Sequence, residues 1–346
     1  MRGLIYRDVG DVRCESIPDP EPTDVDAAIV RIESAAICGS DLHTYHGQIG
    51  PGPFSLGHEA IGEVVEKGSG VRRFKAGDRV LVSGIAGCRT CAPCGRGAVT
   101  LCEGGAGQVF GTNQGLAGSQ AEALLVPSAD VTLAAIPEGV SAKSAVLLTD
   151  ILPTGYWGAE NAEIEPGHDV AVIGCGPVGL MAIQSAMLFG PRRVFALDGV
   201  PERLEAARRL GAIPCDVSAD ANAAVLEATG GLGPHSVIEA VGADAAIQNA
   251  IGLVRRGGRV SVVGVNMNMD FRFPMAVALV KSVTFRIGVC PVPRLWPHLV
   301  PLVAEGKLEP DFVFTHEMGL SEGAEAYRLF DSRADGVLKV LLNPND

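Results

Sequence analysis

Cys88, Cys91, Cys94 and Cys102 stand within fifteen residues, spaced C-x2-C-x2-C-x7-C. Four thiolates that one loop can fold around a point make a tetrahedral sulfur cage, whose usual occupant is Zn²⁺. Two disulfides would need an oxidising compartment, and nothing else in the chain points to one. A cage closed by four sulfurs has no open coordination position. Such a zinc is expected to be structural, and reaction chemistry must be sought elsewhere.

A second set is less conspicuous. Cys38 ends the run AAIVRIESAAIC (27–38) and is followed by Gly39-Ser40-Asp41-Leu42-His43; twenty residues after Cys38 comes Gly57-His58-Glu59. A thiolate and an imidazole from two neighbouring β-loops are partners for a catalytic zinc, although a buried cysteine and a core histidine would read the same way. A third set is Gly174-Cys175-Gly176-Pro177-Val178-Gly179, after the apolar run VAVIGCG (170–176), with Asp198 nineteen residues past Gly179. The first glycine permits a tight turn and the second lets a pyrophosphate approach the backbone. The third lets helix and strand pack closely, and the helix N-terminus favours the anion. Asp198 is expected to accept hydrogen bonds from the adenosine ribose. It would repel a 2′-phosphate, and no arginine follows at 199 or 200, which favours NAD over NADP. Arg203 is grouped with Gly174, Gly176, Pro177, Val178, Gly179 and Asp198 as a cofactor-binding residue.

These sets need two kinds of scaffold. The first 150 residues are short β-like runs (27–38, 60–68, 78–84) between glycines and prolines, as in a barrel or sandwich. From about residue 165, six apolar β-branched runs alternate with helical stretches, predicting an open, mostly parallel sheet covered by helices. After 289 the chain is proline-rich, with one helix (321–330) and a last strand (337–342) that would close onto the first domain. The expected division is a discontinuous domain, 1–150 with 289–346, around a domain 151–288. With 346 residues and 47% hydrophobic content, both can bury a core. The net charge of −12 argues against nucleic acid or an anionic membrane as partner. Residues 170–191 are long and uncharged, but three glycines and Pro177 break them into strand and helix rather than a membrane span. With no signal-like N-terminus, the expected location is the cytoplasm.

GHEAIGEVVEKGSGV reads G-H-E-x2-G-x5-G-x2-V and resembles the zinc signature of the medium-chain alcohol dehydrogenases. The four-cysteine lobe and the glycine turn with its acidic residue follow in that family's order over essentially the whole chain. The resemblance implies an α/β fold: a GroES-like β-barrel catalytic domain carrying a structural zinc lobe at 84–105, and a Rossmann doubly wound parallel sheet that binds NAD. It implies two zinc ions per subunit, one catalytic and one structural. The segment Leu148-Thr149-Asp150-Ile151-Leu152-Pro153-Thr154-Gly155-Tyr156 looks like the bacterial subgroup with aspartate as third ligand, close to glutathione-independent formaldehyde dehydrogenases. Cys38, His58 and Asp150 are therefore expected on the catalytic zinc; Asp150 as a helix N-cap is the alternative. Glu59 is expected as a supporting group or alternating ligand, and Asp41 as the carboxylate that orients His58. By the same resemblance, Ser40 and His43 are expected to pass the alcohol's proton to solvent. Zn²⁺ makes this chemistry accessible by lowering a bound hydroxyl's pKa by roughly eight units, as it does for water.

The chain has no room for the extra cofactor-covering loop of the formaldehyde dehydrogenases, so very tight NAD retention is not expected. Gly84 stands where relatives carry an aromatic residue, which suggests a roomier pocket. The expected reaction is reversible hydride transfer between a primary or secondary alcohol and NAD, giving an aldehyde or ketone. Polyol or amino-alcohol oxidation and formaldehyde dehydrogenase or dismutase activity are the alternatives. A non-catalytic homologue would lack the reactive-zinc residues, all of which are present. A homotetramer built through the cofactor domains is expected, a dimer second.

Overall fold

The computed structural model describes residues 1–22, 24–104, 108–113 and 115–346. Gly105, the last residue of the expected zinc lobe, lies outside them. The chain divides into two units, Met1–Pro153 with Pro291–Asp346, and Thr154–Cys290.

In the first unit, β1 (Arg2–Asp8) and β2 (Asp11–Ser16) form a hairpin, which β3 (Ala28–Ala36) follows in the chain; β4 (Phe54–Ser55) adds to β1. The larger sheet contains β3, β5 (Glu59–Lys67), β6 (Arg79–Val82), β9 (Ala123–Val126), β10 (Leu133–Ala135), β17 (Phe314–Gly319) and β18 (Lys339–Asn343). Its hub is β3, which pairs antiparallel with β5, β9 and β18. β5 begins at Glu59, opposite Ala36, and β18 sets Leu341 against the same Ala36. Glu59 and Lys339 thus begin two strands that flank β3, and Cys38 and His58 stand just outside the ends of β3 and β5. The lobe holds β7 (Ile85–Ala86), paired with β8 (Gln108–Val109), and α2 (Ala92–Gly95). Short helices α1 (Asp41–Tyr45), α3 (Ala129–Thr132) and α4 (Ala142–Leu147) lie on the connections. Leu4, Tyr6, Ile32, Ile37, Leu56, Phe110 and Tyr327 are among the side chains of the core.

In the second unit, β11 (Asp169–Ile173), β12 (Arg193–Asp198), β13 (Ile213–Asp216), β14 (Ser236–Glu239), β15 (Arg259–Val262) and β16 (Thr284–Ile287) pair in parallel, in the order β13-β12-β11-β14-β15-β16. β11 is buried along its whole length, which a strand central in a doubly covered sheet must be. The strand order reverses between β11 and β14, where such sheets bind nucleotides. Helices α6 (Pro177–Met187), α7 (Pro201–Arg209), α8 (Ala221–Ala228), α9 (Asp244–Leu253) and α10 (Met275–Lys281) alternate with the strands, after α5 (Ile151–Asn161), which starts just before the division between units. The apolar 170–191 stretch resolves into β11 and α6. No helix among the described residues is long and apolar enough to cross a membrane.

One expectation fails in the C-terminal segment. The proline-rich text after 289 reads as loop with a single helix, yet α11 (Val292–Ala304) precedes α12 (Gly323–Ser332) and contains Pro297 and Pro301. Each proline removes a backbone donor and disfavours the helix. Burial of Leu295, Trp296, Leu299 and Val303 along one side opposes that, and the Trp296 indole N–H donates to Leu148 O at 2.8 Å. Tertiary packing overrides local propensity here.

Candidate active site

The four lobe cysteines converge: their sulfurs lie within 4.8 Å of one another. The lobe is shaped for them, since a Cβ on Gly104 would sit 2.9 Å from the Cys88 sulfur and one on Gly87 would press on the Cys94 sulfur at 2.5 Å. Hydrogen bonds from Thr90 and from backbone N–H groups bring the Cys88 thiol down to about 5, while burial pushes Cys94 up to about 12. Sulfurs crowded this closely, with one already favouring the thiolate, suit a cation with thiolate ligands.

The second set also converges. One ligand atom each from Cys38, His58, Glu59 and Asp150 lies within 4.8 Å of the others. The Cys38 S–H donates to Asp150 Oδ2 at 3.3 Å, and His58 Nε2 lies 3.5 Å from the same oxygen. Ser40 Oγ is 3.2 Å from both the Cys38 sulfur and His58 Nε2. On the far side of the imidazole, Nδ1 is 3.1 Å from Asp41 Oδ1. Asp150 immediately precedes α5, so the site gains it through the start of that helix.

Burial, then Asp150 and Glu59, pushes the Cys38 thiol up to about 12. Burial opposes the charge of Asp150, but hydrogen bonding and charge from His58 hold it down at about 2. Burial also opposes a charge on His58, and Asp41 and Cys38 outweigh it, leaving the imidazole well above its ordinary range. A thiol and two carboxyl groups share a buried space with one imidazole and one ammonium. A divalent cation would let the thiol ionise and release the imidazole proton, so the donor set fits Zn²⁺.

Glu59 is no surface carboxylate. It is fully buried, and Lys339 Nζ lies 2.9 Å from Oε1 and 2.8 Å from Oε2, with a further bond from Nζ to Ile37 O at 3.0 Å. Apart from that ion pair, Oε2 has no hydrogen-bond partner among the described residues. Burial raises the Glu59 carboxyl even so, while Lys339, though burial works against its charge, is raised by Glu59 and Cys38. Sequence reading missed Lys339; the available signal was a lysine inside the apolar run VLKVLL. A Cβ on Gly84 would meet His58 O at 2.9 Å and His58 Cβ at 3.4 Å, so a side chain at 84 would press on His58. His43 lies on α1, half-buried, with Nδ1 2.6 Å from Gln48 Oε1.

The glycine turn of the second unit has the form a dinucleotide requires. Gly174 has φ +89°, a region that favours glycine. A Cβ on Gly179 would overlap Gly174 O, so α6 packs on β11 only with glycine there. A Cβ on Gly176 would meet only Arg203 Nη1, at 3.8 Å, which leaves an open cradle. Pro177 opens α6 behind Gly176, with Val178 in the first turn. Asp198 Oδ2 accepts from Cys175 N at 2.7 Å and Oδ1 from Val200 N at 2.9 Å, so the acidic residue braces the turn it was expected to serve. Arg203 Nη1 stands 4.0 Å from Asp198 Oδ2, which brings together two of the residues grouped in the sequence.

At the strand-order reversal lies a carboxyl that sequence reading passed over. Glu239 is fully buried; Oε1 accepts from Val241 N and Gly242 N at 2.8 and 2.9 Å, and Oε2 has no partner among the described residues. Burial raises it from 4.5 to about 7. The folded chain therefore holds this proton more tightly than the unfolded chain. Its contribution to stability is full below pH 4.5 and is lost as pH rises through about 7. Glu239→Gln keeps the acceptor and cannot ionise. Its melting temperature relative to the unsubstituted chain is expected to rise between pH 5 and pH 8; an equal difference at both would show that Glu239 does not titrate there.

Comparison with known proteins agrees with this architecture. Residues 24–138 match the alcohol dehydrogenase GroES-like domain, and residues 177–305 match the zinc-binding dehydrogenase domain. A probable zinc-binding alcohol dehydrogenase of Mycobacterium tuberculosis is 42% identical over 346 residues, covering 100% of this chain and 89% of that protein. A zinc-type alcohol dehydrogenase B of Aspergillus flavus is 38% identical over 343 residues, covering 96% and 79%. Among solved structures, the alcohol dehydrogenase TADH of Thermus sp. ATN1 superimposes with a TM-score of 0.93 at 41% identity, covering 99% of each chain. A GroES-like unit with a metal-ligand cluster and a Rossmann unit with a glycine turn define a medium-chain dehydrogenase. The chain belongs to the zinc-dependent medium-chain alcohol dehydrogenase family.

Proposed function

We propose that the chain is an alcohol dehydrogenase that moves hydride reversibly between a primary or secondary alcohol and NAD, giving an aldehyde or ketone, and that it works with one catalytic and one structural zinc per subunit. The observation that carries the reading is the convergence of Cys38, His58 and Asp150 within 4.8 Å, beside Ser40. Cys38, His58 and Asp150 would hold the catalytic ion, with aspartate as the third ligand. Zinc supplies a Lewis acid that lowers the pKa of an alcohol hydroxyl, and NAD accepts the hydride. The thiolate of Cys38 and the carboxylate of Asp150 would offset the ion's two charges, so an anionic substrate oxygen is favoured without being trapped. The Ser40 hydroxyl would accept the proton that the alcohol hydroxyl gives up and pass on its own, which His43 would carry to solvent. Glu59, held by Lys339, is placed as a supporting carboxylate or occasional ligand. Cys88, Cys91, Cys94 and Cys102 would close the structural cage.

Gly174, Gly176, Pro177, Val178 and Gly179 would cradle the pyrophosphate, and Asp198 with Arg203 would meet the adenosine ribose. An alcohol panel with NAD and NADP, run beside a metal count, tests the reading. Two zinc ions per chain and turnover favouring NAD are expected; two zinc ions and no turnover with any alcohol would sink it. Asp198→Asn removes the charge that opposes a 2′-phosphate and retains one acceptor. The ratio of kcat/KM for NADP over NAD is expected to rise by about tenfold. An unchanged ratio would assign Asp198 to bracing the turn alone.

A homotetramer built through the cofactor units fits β16, which ends its sheet, and the exposed Met275, Leu279, Val280 and Ile287 on and beside it. Light scattering should give four chains, and Leu279→Glu fewer. The cytoplasm is the proposed location.

A further inference from the structure

Behind His58 runs a buried chain of hydrogen bonds that ends on the C-terminal helix. Asp41 Oδ1 faces His58 Nδ1 at 3.1 Å, and Asp41 Oδ2 accepts from Cys38 N at 2.9 Å and from Gln120 Nε2 at 3.2 Å. Gln120 Nε2 also donates to Ala36 O at 3.1 Å, and Gln120 Oε1 accepts from the Tyr327 hydroxyl at 2.8 Å. Asp41 is 3% exposed, and Gln120 and Tyr327 are 0% exposed.

The polarity of this chain is forced. A backbone carbonyl can only accept, so the amide NH₂ must point at Ala36 O and Asp41, and the Tyr327 hydroxyl is left to donate to the amide oxygen. Asp41 Oδ2 then has two donors, which stops the carboxylate from turning, and Oδ1 remains for the imidazole. That holds the Nδ1–H tautomer and leaves the Nε2 lone pair toward Cys38 and Asp150. The backbone cooperates. Gln120 N donates to Leu56 O at 2.9 Å and Leu4 N donates to Gln120 O at 2.8 Å, so the glutamine is stitched to both neighbours. Gly57 has φ +95°, and a Cβ on it would overlap the Gln120 side chain, coming within 2.8 Å of Cδ. The glycine before His58 is therefore also the space through which Gln120 reaches Asp41.

We propose that Gln120 and Tyr327 are positioning residues for the His58 imidazole: they fix its orientation and tautomer through Asp41, so that the C-terminal helix governs how tightly the catalytic metal is held. The proposal rests on the reading of Cys38, His58 and Asp150 as a zinc site. Groups that support a metal ligand from behind typically change metal affinity by about 10- to 100-fold.

The test is zinc release from the full chain to a chromogenic chelator. The unsubstituted chain is expected to release zinc in two phases, one of which is absent in Cys38→Ser; a single phase unaffected by that substitution would overturn the zinc reading itself, and this inference with it. In Tyr327→Phe the phase assigned to Cys38 is expected to speed up about tenfold, and in Gln120→Met by more, with the four-cysteine phase unchanged. Phe330→Leu, buried on the same helix and outside the hydrogen-bond chain, should lower the melting temperature without changing the ratio of the two rates. Equal acceleration of both phases in Tyr327→Phe, or the same ratio shift in Phe330→Leu, would show general loosening and overturn the proposal. If Tyr327→Phe does not fold, Gln120→Met decides it by the same ratio.

Discussion

Cys38→Ser is expected to lower kcat/KM for every alcohol by at least about a thousandfold while one zinc ion per chain remains bound. A serine hydroxyl is not ionised at neutral pH, so the substitution removes an anionic ligand as well as a soft one. The remaining donors, His58 and Asp150, are two where a catalytic zinc takes three from the protein. The four-sulfur cage shares no residue with this site, so it should keep its ion. Cys91→Ser is the mirror experiment, expected to lose the other zinc and lower the melting temperature before it lowers the rate per folded molecule. Metal analysis and steady-state kinetics on the same samples decide it. Full activity in Cys38→Ser, or loss of both ions from it, would mean that the two clusters do not divide labour in this way.

The second large effect is on stability. Lys339→Met leaves Glu59 buried without the ammonium group it pairs with, and breaking a buried pair from one side costs about 3–5 kcal/mol. Methionine matches the lysine stem in length, so packing is largely kept and the loss is electrostatic. Glu59→Gln with Lys339→Met removes both charges and should recover most of the loss, because a neutral pair leaves no buried charge. Denaturant unfolding of the single and double variants gives the comparison. If the double variant were no more stable than Lys339→Met alone, the damage would lie in packing or in the lost bond to Ile37 O.

The readable parts of this chain have local causes. The sulfur cage is local, since Cys88 to Cys102 lie in one loop. The glycine turn is local, because tight turn, close approach and helix start fall within Gly174–Gly179. Much of the parallel sheet is local too: β11 and β14 are wholly buried runs and β12 and β15 nearly so, while β13 and β16, at the two ends of the sheet, are more exposed. Helix α11 was hidden because Pro297 and Pro301 argue against a helix on their own, and only the burial of Leu295, Trp296, Leu299 and Val303 overrules them. Resemblance supplied Asp150, which no spacing from Cys38 predicts.

Composition and motif spacing alone thus determined the two kinds of scaffold and the four-cysteine donor set, while the second donor set was complete only with the resemblance. A thiol pattern, a glycine turn and apolar periodicity each express their physics within a few residues. Tertiary structure alone decided which charges face one another. Glu59 meets Lys339 across 280 positions, and Tyr327 meets Gln120 across 207, because β18 and α12 fold back onto the first strands. In a buried site the energy of a charge or hydrogen bond depends on its partner and on the absence of water, and neither is encoded in the residue's neighbours along the chain.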